Sequence, residues 1–417
     1  MMITSKFKES PVGLIPEDWS FTTIGQIASI VTGDKDTQDR DDSGIYPFFV
    51  RSQTVERISS FSFDGQAVLT AGDGVGVGKV FHYYIGKFNF HQRVYCIHSF
   101  IDDIDGYYFF LYFSQNFIQR VQQFSAKGSV DSVRLSMISN MVLPKPPKEE
   151  QEKIAEVLST VDRAIAQTEA LIAKQQRIKT GLMQDLLTKG IDENGNIRSE
   201  ETHEFKDSAI GRIPVEWEVK SFFDCASISE GQRDPKQNPY RDWILIAPDH
   251  IESKTGRLIS LQTALEQSAI SGKYEFKPGD VIYSKIRPYL RKAILVDFRG
   301  LCSADMYALS PRSGIRSDFL LSVILGEKFS GYAESVSDRS GFPKINRSEL
   351  AAYQIVLPDE LEQGRISETA KQIQYKNESD HANLKKLLIL KTGLMQDLLT
   401  GKVRVTPLLE NSGGTDP

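Results

Sequence analysis

Several stretches of this chain carry residue types that could do covalent or metal chemistry, and each lacks a required part. GDGVGVGK at Gly72–Lys79 has the look of a phosphate-binding loop. That loop needs a glycine five positions before the one preceding its lysine, and a Ser or Thr after the lysine; here those positions hold Asp73 and Val80. The stretch reads as a glycine-rich turn between strands. Asn238-Pro239-Tyr240 lacks one proline of the Asn-Pro-Pro-aromatic motif of amino-methyltransferases, and no glycine loop suited to S-adenosylmethionine follows a strand. Pro248-Asp249 and Glu252-x-Lys254 have the letters of a nuclease metal site, but two intervening residues cannot place carboxylates on paired strands, so a solvated loop is the better reading. The six histidines are scattered, and Cys96, Cys225 and Cys302 lack CxxC spacing, which argues against a zinc ribbon or a disulfide framework. The sequence therefore predicts a chain that performs no covalent chemistry and carries no cofactor or metal.

Recognition chemistry is better represented. KIRPYLRK at Lys285–Lys292 gathers Lys285, Arg287, Tyr289, Arg291 and Lys292, just after a strand expected at Val281–Ser284. DRSGFPKINR adds Arg339, Lys344, Asn346 and Arg347, and the matching first-half loop SAKGSVDSVR carries Lys127, Ser129 and Arg134. Arg51, Gln53, Lys79, Gln92 and Arg93 complete the candidate readers. Phosphates attract Lys and Arg, while base edges are read by Arg, Asn or Gln through paired hydrogen bonds. With a net charge of −5 and a pI near 5.8, DNA binding would have to rest on such local basic surfaces. The alternative reading of KIRPYLRK is a solvated hairpin.

The elements that position these loops come in two copies. FKESPVGLIPEDW at Phe7–Trp19 returns as FKDSAIGRIPVEW at Phe205–Trp217, and GLMQDLLT at Gly181–Thr188 recurs unchanged at Gly393–Thr400. The offset between copies grows from 198 at Gly33/Gly231 to 214 at Gly65/Gly279, so the second copy holds an insertion of about sixteen residues there. Each copy reads as a globule followed by a long helix. Strands are expected at Ala67–Thr70, Gly78–Phe81, Arg93–Ile97 and Lys292–Val296, and helices at Tyr107–Gln123 and Asp318–Val336. From Glu149 to Thr188 no proline occurs, and apolar residues return every three or four positions. Ile154, Val157, Leu158, Val161, Ile165, Leu171, Ile172, Ile178 and Leu182 form one stripe; Ile366, Ile373, Leu384, Leu387 and Leu394 form its partner. Lys376, Asn377, Asp380 and Asn383 fall on seam positions of the second helix, which predicts a pair that separates or hydrates near its centre. The expected organisation is a first globule at 1–147, a long helix at 148–190, a second globule at 191–358, a second long helix at 359–402 and a disordered tail at 403–417. The fold class is α+β: two similar α/β globules, each followed by a long α-helix, the helices packed as an antiparallel coiled coil with an internal pseudo-twofold repeat. Without a signal peptide or an apolar run long enough to span a bilayer, the expected protein is soluble and cytoplasmic, with no membrane partner.

The chain resembles the specificity subunit of type I restriction-modification systems over essentially Phe7 to Val405. The resemblance rests on the paired IPxxW segments at Ile15–Trp19 and Ile213–Trp217, on LPKPPKEEQEKIAEVL and LPDELEQGRI, and on the two KTGLMQDLLT endings. The second helix start departs from the pattern by losing two residues and placing Gly364 after Gln363. The resemblance implies that each globule is a target-recognition domain reading one half of a bipartite sequence in double-stranded DNA. It further implies that the helices act as a spacer and dock two methyltransferase (modification) subunits, which bind S-adenosylmethionine and methylate adenine. Two restriction subunits would supply ATP-driven translocation and cleavage, so ATP and Mg²⁺ also belong to partners. Two alternatives remain: the recognition half of a single-chain restriction or methylation enzyme, and a non-catalytic coiled-coil scaffold that binds no DNA.

Overall fold

A computed structural model describes residues 6–124, 132–337 and 342–410. The chain divides into two units: Met1–Thr168 with Asn383–Pro417, and Glu169–Ala382. Each unit contains one globule, the beginning of one long helix and the end of the other.

In the first unit a hairpin, Phe7–Ser10 against Gly13–Pro16, leads to the fully buried Trp19. Ser20–Thr23 then pairs antiparallel with Val142–Lys145, so the two ends of the globule leave side by side. Between them lie β1 (Ser29–Thr32), β2 (Tyr46–Phe49), β3 (Glu56–Ile58), β4 (Phe63–Ala71), β5 (Phe81–Phe90) and β6 (Val94–His98), in one sheet of order β1-β6-β4-β5-β2-β3. Helix α1 (Gly106–Gln123) starts where Asp105 accepts a hydrogen bond from Tyr108 N, at 2.7 Å, satisfying one of the free amides of a helix start. Its apolar face carries Phe109, Phe113 and Phe117 into the main core, with Phe81 edge-on to Phe113 at 5.6 Å. The short α2 (Leu135–Ser139) follows, then the long α3 (Lys148–Leu186).

The second unit repeats the plan. The hairpin Phe205–Ser208/Gly211–Pro214 precedes buried Trp217, and Glu218–Ser221 pairs with Gln354–Leu357. Its strands are β7 (Ala226–Ile228), β8 (Gln232–Arg233), β9 (Leu245–Ile246), β10 (Lys273–Phe276), β11 (Val281–Ser284), β12 (Ala293–Leu295), β13 (Gly300–Cys302) and β14 (Met306–Pro311). They form two sheets, β7-β14-β11-β12 and β8-β10-β13-β9. The first unit's long β5 corresponds to β12 and β13 together. Asn89 pairs in parallel with Phe48 on β2, and Leu301, 212 positions later, pairs in parallel with Leu245 on β9. Helices α4 (Ser317–Leu325), α5 (Glu327–Ser337) and α6 (Arg347–Ala352) follow, then α7 (Glu360–Leu398) and α8 (Thr406–Glu410).

Four expectations need correction. Gly78–Phe81 is not a strand: Gly74 and Gly78 have positive φ and make a turn, and pairing begins at Phe81. The single helix expected over Asp318–Val336 is two helices that break at Gly326. The tail expected after Lys402 includes buried Val405, an ion-paired Arg404 and α8; residues 411–417 lie outside the described part. Leu171 and Ile178 are 44% and 55% exposed rather than in the seam. Their column, Val157, Ala164, Leu171, Ile178, goes from half-buried to exposed along the helix. A strict seven-residue repeat on a straight helix drifts by about 20° per heptad, which turns this column away from its partner.

The remaining seam residues are covered. Ile154, Leu158 and Ile165 are buried, Val157 and Val161 half-buried; Met395, Leu398 and Leu394 of α7 join Ile154 and Leu158 in the first core. In the second unit Leu182 and Leu186 of α3 join Ile366 of α7 in its core. In each unit the end of one helix therefore lies beside the start of the other, which is antiparallel packing. Ile172, Ile373, Leu384 and Leu387 are half-buried. Lys391 Nζ binds Asp162 Oδ1 at 2.6 Å in the first unit, and Lys179 donates to Gln374 at the matching position of the second. Of the polar seam residues only Asn377 is buried; Lys376 and Asn383 are exposed. Among the described residues, Gln175 Oε1, Asn377 Nδ2 and Asp380 Oδ2 are buried polar atoms without a hydrogen-bond partner, a local polarity consistent with a weakened centre.

The Glu-Gln pair that opens each long helix fixes globule to helix. Glu150 Oε2 accepts from Trp19 Nε1 at 2.9 Å, and its carboxylate also accepts from Arg404 at 2.8 Å through two nitrogens. Glu362 accepts from Trp217 Nε1 at 3.0 Å, from Ile191 N at 2.8 Å and from Arg198. Both carboxylates are 1% exposed. Gln151 accepts from Asp105 N and donates to the carbonyls of Asp103 and Pro146; Gln363 accepts from Arg316 N and donates to those of Gly314 and Pro358. Most buried polar groups are paired, and here every polar atom of four side chains has a partner.

Candidate nucleic-acid interface

In each unit three loops meet at the ends of two neighbouring interior strands through matching backbone hydrogen bonds. In the first, Gly72 at the end of β4 donates to Arg93 O, and Val133 N donates to Gly72 O, both at 2.7 Å. In the second, Lys285 at the end of β11 donates to Asp305 O at 3.0 Å, and Ile345 N donates to Lys285 O at 2.9 Å. A tyrosine closes each junction: Tyr95 OH to Val133 O at 3.0 Å, Tyr307 OH to Ile345 O at 3.4 Å. The frames agree while the side chains differ. Gly72 and Arg93 stand in the first where Lys285 and Asp305 stand at the corresponding positions of the second, and Asp73 corresponds to Ile286.

The first junction brings together three of the predicted readers. Asp73 accepts from Arg51 at 2.8 Å and lies 3.6 Å from Arg93 Nε. Gln92 donates to Asp36 at 2.7 Å. Beneath them His91 is 3% exposed, its Nδ1 accepting from Arg93 N at 2.9 Å. Burial first, then the nearby Arg51 charge, hold its imidazole below the usual histidine range, so it is a neutral strut at neutral pH. Arg51, Gln92 and Arg93 remain exposed, as do Gln53, Lys79 and Arg134 on the neighbouring loops. Lys127 and Ser129 lie outside the described residues.

The second junction divides KIRPYLRK. Lys285 and Arg287 face the loop carrying Lys344, Asn346 and Arg347, to which Ile286 is bridged at Lys344. The Lys285 ammonium lies 5.2 Å over the Tyr307 ring, and Arg287 lies 5.4 Å over Phe342. Arg287 adopts a left-handed backbone, φ +48°. Tyr289 is 48% exposed. Arg291 and Lys292 point elsewhere: Arg291 makes a two-pronged pair with Glu327 of α5, and Lys292 donates to Pro248 O at 2.6 Å. Those two cations stabilise the loop and are committed to protein partners. Asn346 caps α6 through Glu349 N, and Arg347 donates to Glu230 at 2.8 Å. Arg339 lies outside the described residues.

Sequence reasoning had not selected the acidic members, Asp36, Asp73, Glu230 and Asp305. Their signal is weak because a lone exposed carboxylate looks like ordinary surface; only the fold brings Asp73, Asp36 and Glu230 to a particular arginine or glutamine, and the Asp305 carbonyl to Lys285 N. The thiols are inert here. Burial pushes Cys225 up to about 11 and Cys96 and Cys302 up to about 12. Among the described residues no helix is long and apolar enough to cross a membrane.

Comparison with known proteins agrees with this duplicated plan. The sequence profile of the type I restriction modification DNA specificity domain matches residues 16–177 and again 214–388. The chain is 32% identical over 377 residues to the type I restriction enzyme EcoDI specificity subunit of Escherichia coli, covering 87% of this chain and 82% of that one. It is 25% identical over 435 residues to the MjaVIII specificity subunit of Methanocaldococcus jannaschii, covering 96% and 97%. In fold it is similar to the S subunit of a type I restriction-modification system from M. genitalium, with TM-score 0.59 and 14% identity over 95% of this chain and 99% of that one.

Proposed function

The chain belongs to the type I restriction-modification DNA specificity family, and from that premise we propose that it is the address-reading component of a larger complex. Each globule reads one half of a bipartite target in double-stranded DNA. The observation that supports this most directly is the paired junction: one backbone frame, built twice, holding different charged side chains. Two readers of the same architecture then recognise two different half-sites.

The division of labour follows from the side chains. Arg51 and Arg93, steadied by Asp73, and Gln92, steadied by Asp36, offer guanine- and adenine-type donors from the first unit. Pairing to a carboxylate fixes a long side chain before DNA arrives and reduces the entropy lost on binding. Arg287, Asn346 and Arg347 play the corresponding part in the second. The long helices set the distance between readers and dock two methyltransferase subunits. Those partners supply S-adenosylmethionine-dependent adenine methylation, and two restriction subunits supply ATP-driven translocation and cleavage. No step of that chemistry falls to this chain.

The test is to assay the purified chain alone and with its cognate methyltransferase. The pair should methylate adenine within a split recognition sequence, and the chain alone should transfer no methyl group. Methyl transfer by the chain alone refutes the assignment, as does the absence of sequence preference in the pair.

A further inference from the structure

At the second junction the side chains enclose a cavity of about 260 Å³, lined by Lys285, Lys344, Asn346, Arg347, Tyr274 and Tyr307 among others, with no carboxylate in its wall among the described residues. Among the described residues, neither the Lys285 nor the Lys344 ammonium has a hydrogen-bonded or ion-paired partner. Only Arg347 has one, the exposed Glu230. Unpaired like charges repel, and proteins seldom gather them around a recess without a ligand of opposite sign. Consistent with that, burial first and then the Lys344 charge make Lys285 easier to deprotonate, and Asp305 offsets this only in part.

Among the described residues, the first unit has the same frame without the cations. Gly72 makes the backbone bonds that Lys285 makes, Ser132 stands in the place of Lys344, and Leu135 in that of Arg347. The tyrosine remains, as Tyr95. There the nearby arginines are drawn to Asp73 instead.

We propose that the cavity of the second unit seats one phosphate of the DNA backbone at its half-site, held between Lys285, Lys344 and Arg347, and that the first unit has no such seat. A phosphate is small enough for the recess, and lysines hold it as point charges without needing a planar fork. The two readers then share the work unequally: the second anchors by charge, while the first depends more on base edges. The proposal rests on the DNA-reading function above and adds which unit carries the charge-driven share.

The experiment uses the full chain with its methyltransferase partner and a duplex bearing the target recovered from methylation mapping. Affinity is measured across salt concentrations for the parent, for Lys285→Gln, for Lys344→Gln and for the double variant, after checking that each retains the parental circular dichroism spectrum. One phosphate contributes roughly 0.9 to the slope of log affinity against log salt. The double variant should lose about one unit of slope and about tenfold in affinity at low salt. Each single variant should lose part of this, and the losses should not sum, because both lysines serve one phosphate. The methylated sequence should stay the same, since phosphate contacts position without specifying. A methylphosphonate at the seated position should abolish the difference between parent and double variant.

A specific parental complex with an unchanged slope in the double variant overturns the seat and leaves the reading function standing. Altered half-site preference overturns it in favour of base reading. Loss of methyltransferase association with an unchanged slope overturns it in favour of an acidic protein partner. Failure of the parental complex to prefer its target would instead sink the reading function itself.

Discussion

Replacing Glu362 by Gln tests how the globules are held to the helices. The substitution keeps the shape and one acceptor for Trp217 Nε1 but removes the charge facing Arg198, whose side chain is 10% exposed. Breaking a buried ion pair costs about 3–5 kcal/mol, because the surviving charge is left without a counterion. With some solvent reaching Arg198, the low end, about 3 kcal/mol, is the fitting value. The matching change at Glu150 should cost less. Arg404 would keep its two hydrogen bonds to Asp18, at 2.9 and 2.6 Å, so a loss of about 1–2 kcal/mol is expected. Amide hydrogen exchange can read the two units separately. At tenfold per 1.4 kcal/mol, Glu362→Gln should speed exchange over Ile191–Trp217 by about two orders of magnitude. Glu150→Gln should speed it over Ile15–Ile27 by about one. Adding Arg198→Met to Glu362→Gln should recover much of the loss, since an apolar side chain leaves no stranded charge. Equal effects at the two sites, or a larger one at Glu150, would refute the argument from the second carboxylate.

Gly190→Ala should destabilise the second unit by about 2 kcal/mol or more in urea titration, since φ is +75° and the new methyl would lie 2.5 Å from both Trp217 and Arg198. Lys292→Gln should leave the salt slope of DNA binding unchanged, because that ammonium is committed to Pro248 O; a lowered slope would return it to the interface. Asp73→Asn should alter the first half-site in methylation maps and spare the second, whereas a change in both would show that the readers are not independent. The folded chain should resist thiol reagents at pH 8, with all three cysteines reacting only after unfolding, given thiols pushed to about 11 or 12 by burial.

Much of this organisation is legible in the sequence because repetition is its own control. GLMQDLLT twice, and IPxxW twice, locate the globules and helices without any knowledge of contacts. The changing offset also places the insertion correctly, between Gly231 and Gly279, where the second unit has its extra residues between β9 and β10. The sequence is silent where partners come from far away. Trp19 and Glu150 are both visible as repeated residues, yet nothing local says that one indole meets that carboxylate, or that Arg404 completes the set from 254 positions on. Periodicity also overreached. Leu171 and Ile178 fit the heptad, but a real helix winds at 3.6 residues per turn and carries them out of the seam. Within KIRPYLRK, charge alone could not distinguish Lys285, which faces the junction, from Lys292, which holds its own backbone.

The pairing of Glu218–Ser221 with Gln354–Leu357, mirrored by Ser20–Thr23 with Val142–Lys145, has a consequence for exchange. A globule enters and leaves its unit through neighbouring strands, roughly 4.8 Å apart. It behaves as a plug whose two pins sit side by side in a socket. The socket's fastening, Trp217 with Glu362 and Arg198, lies wholly on the recipient side of the pins. Any domain that starts and ends on adjacent antiparallel strands can therefore be inserted without disturbing helix or fastening, whatever its interior sheet looks like. The first unit's single sheet and the second unit's two sheets are already two different plugs in one design of socket.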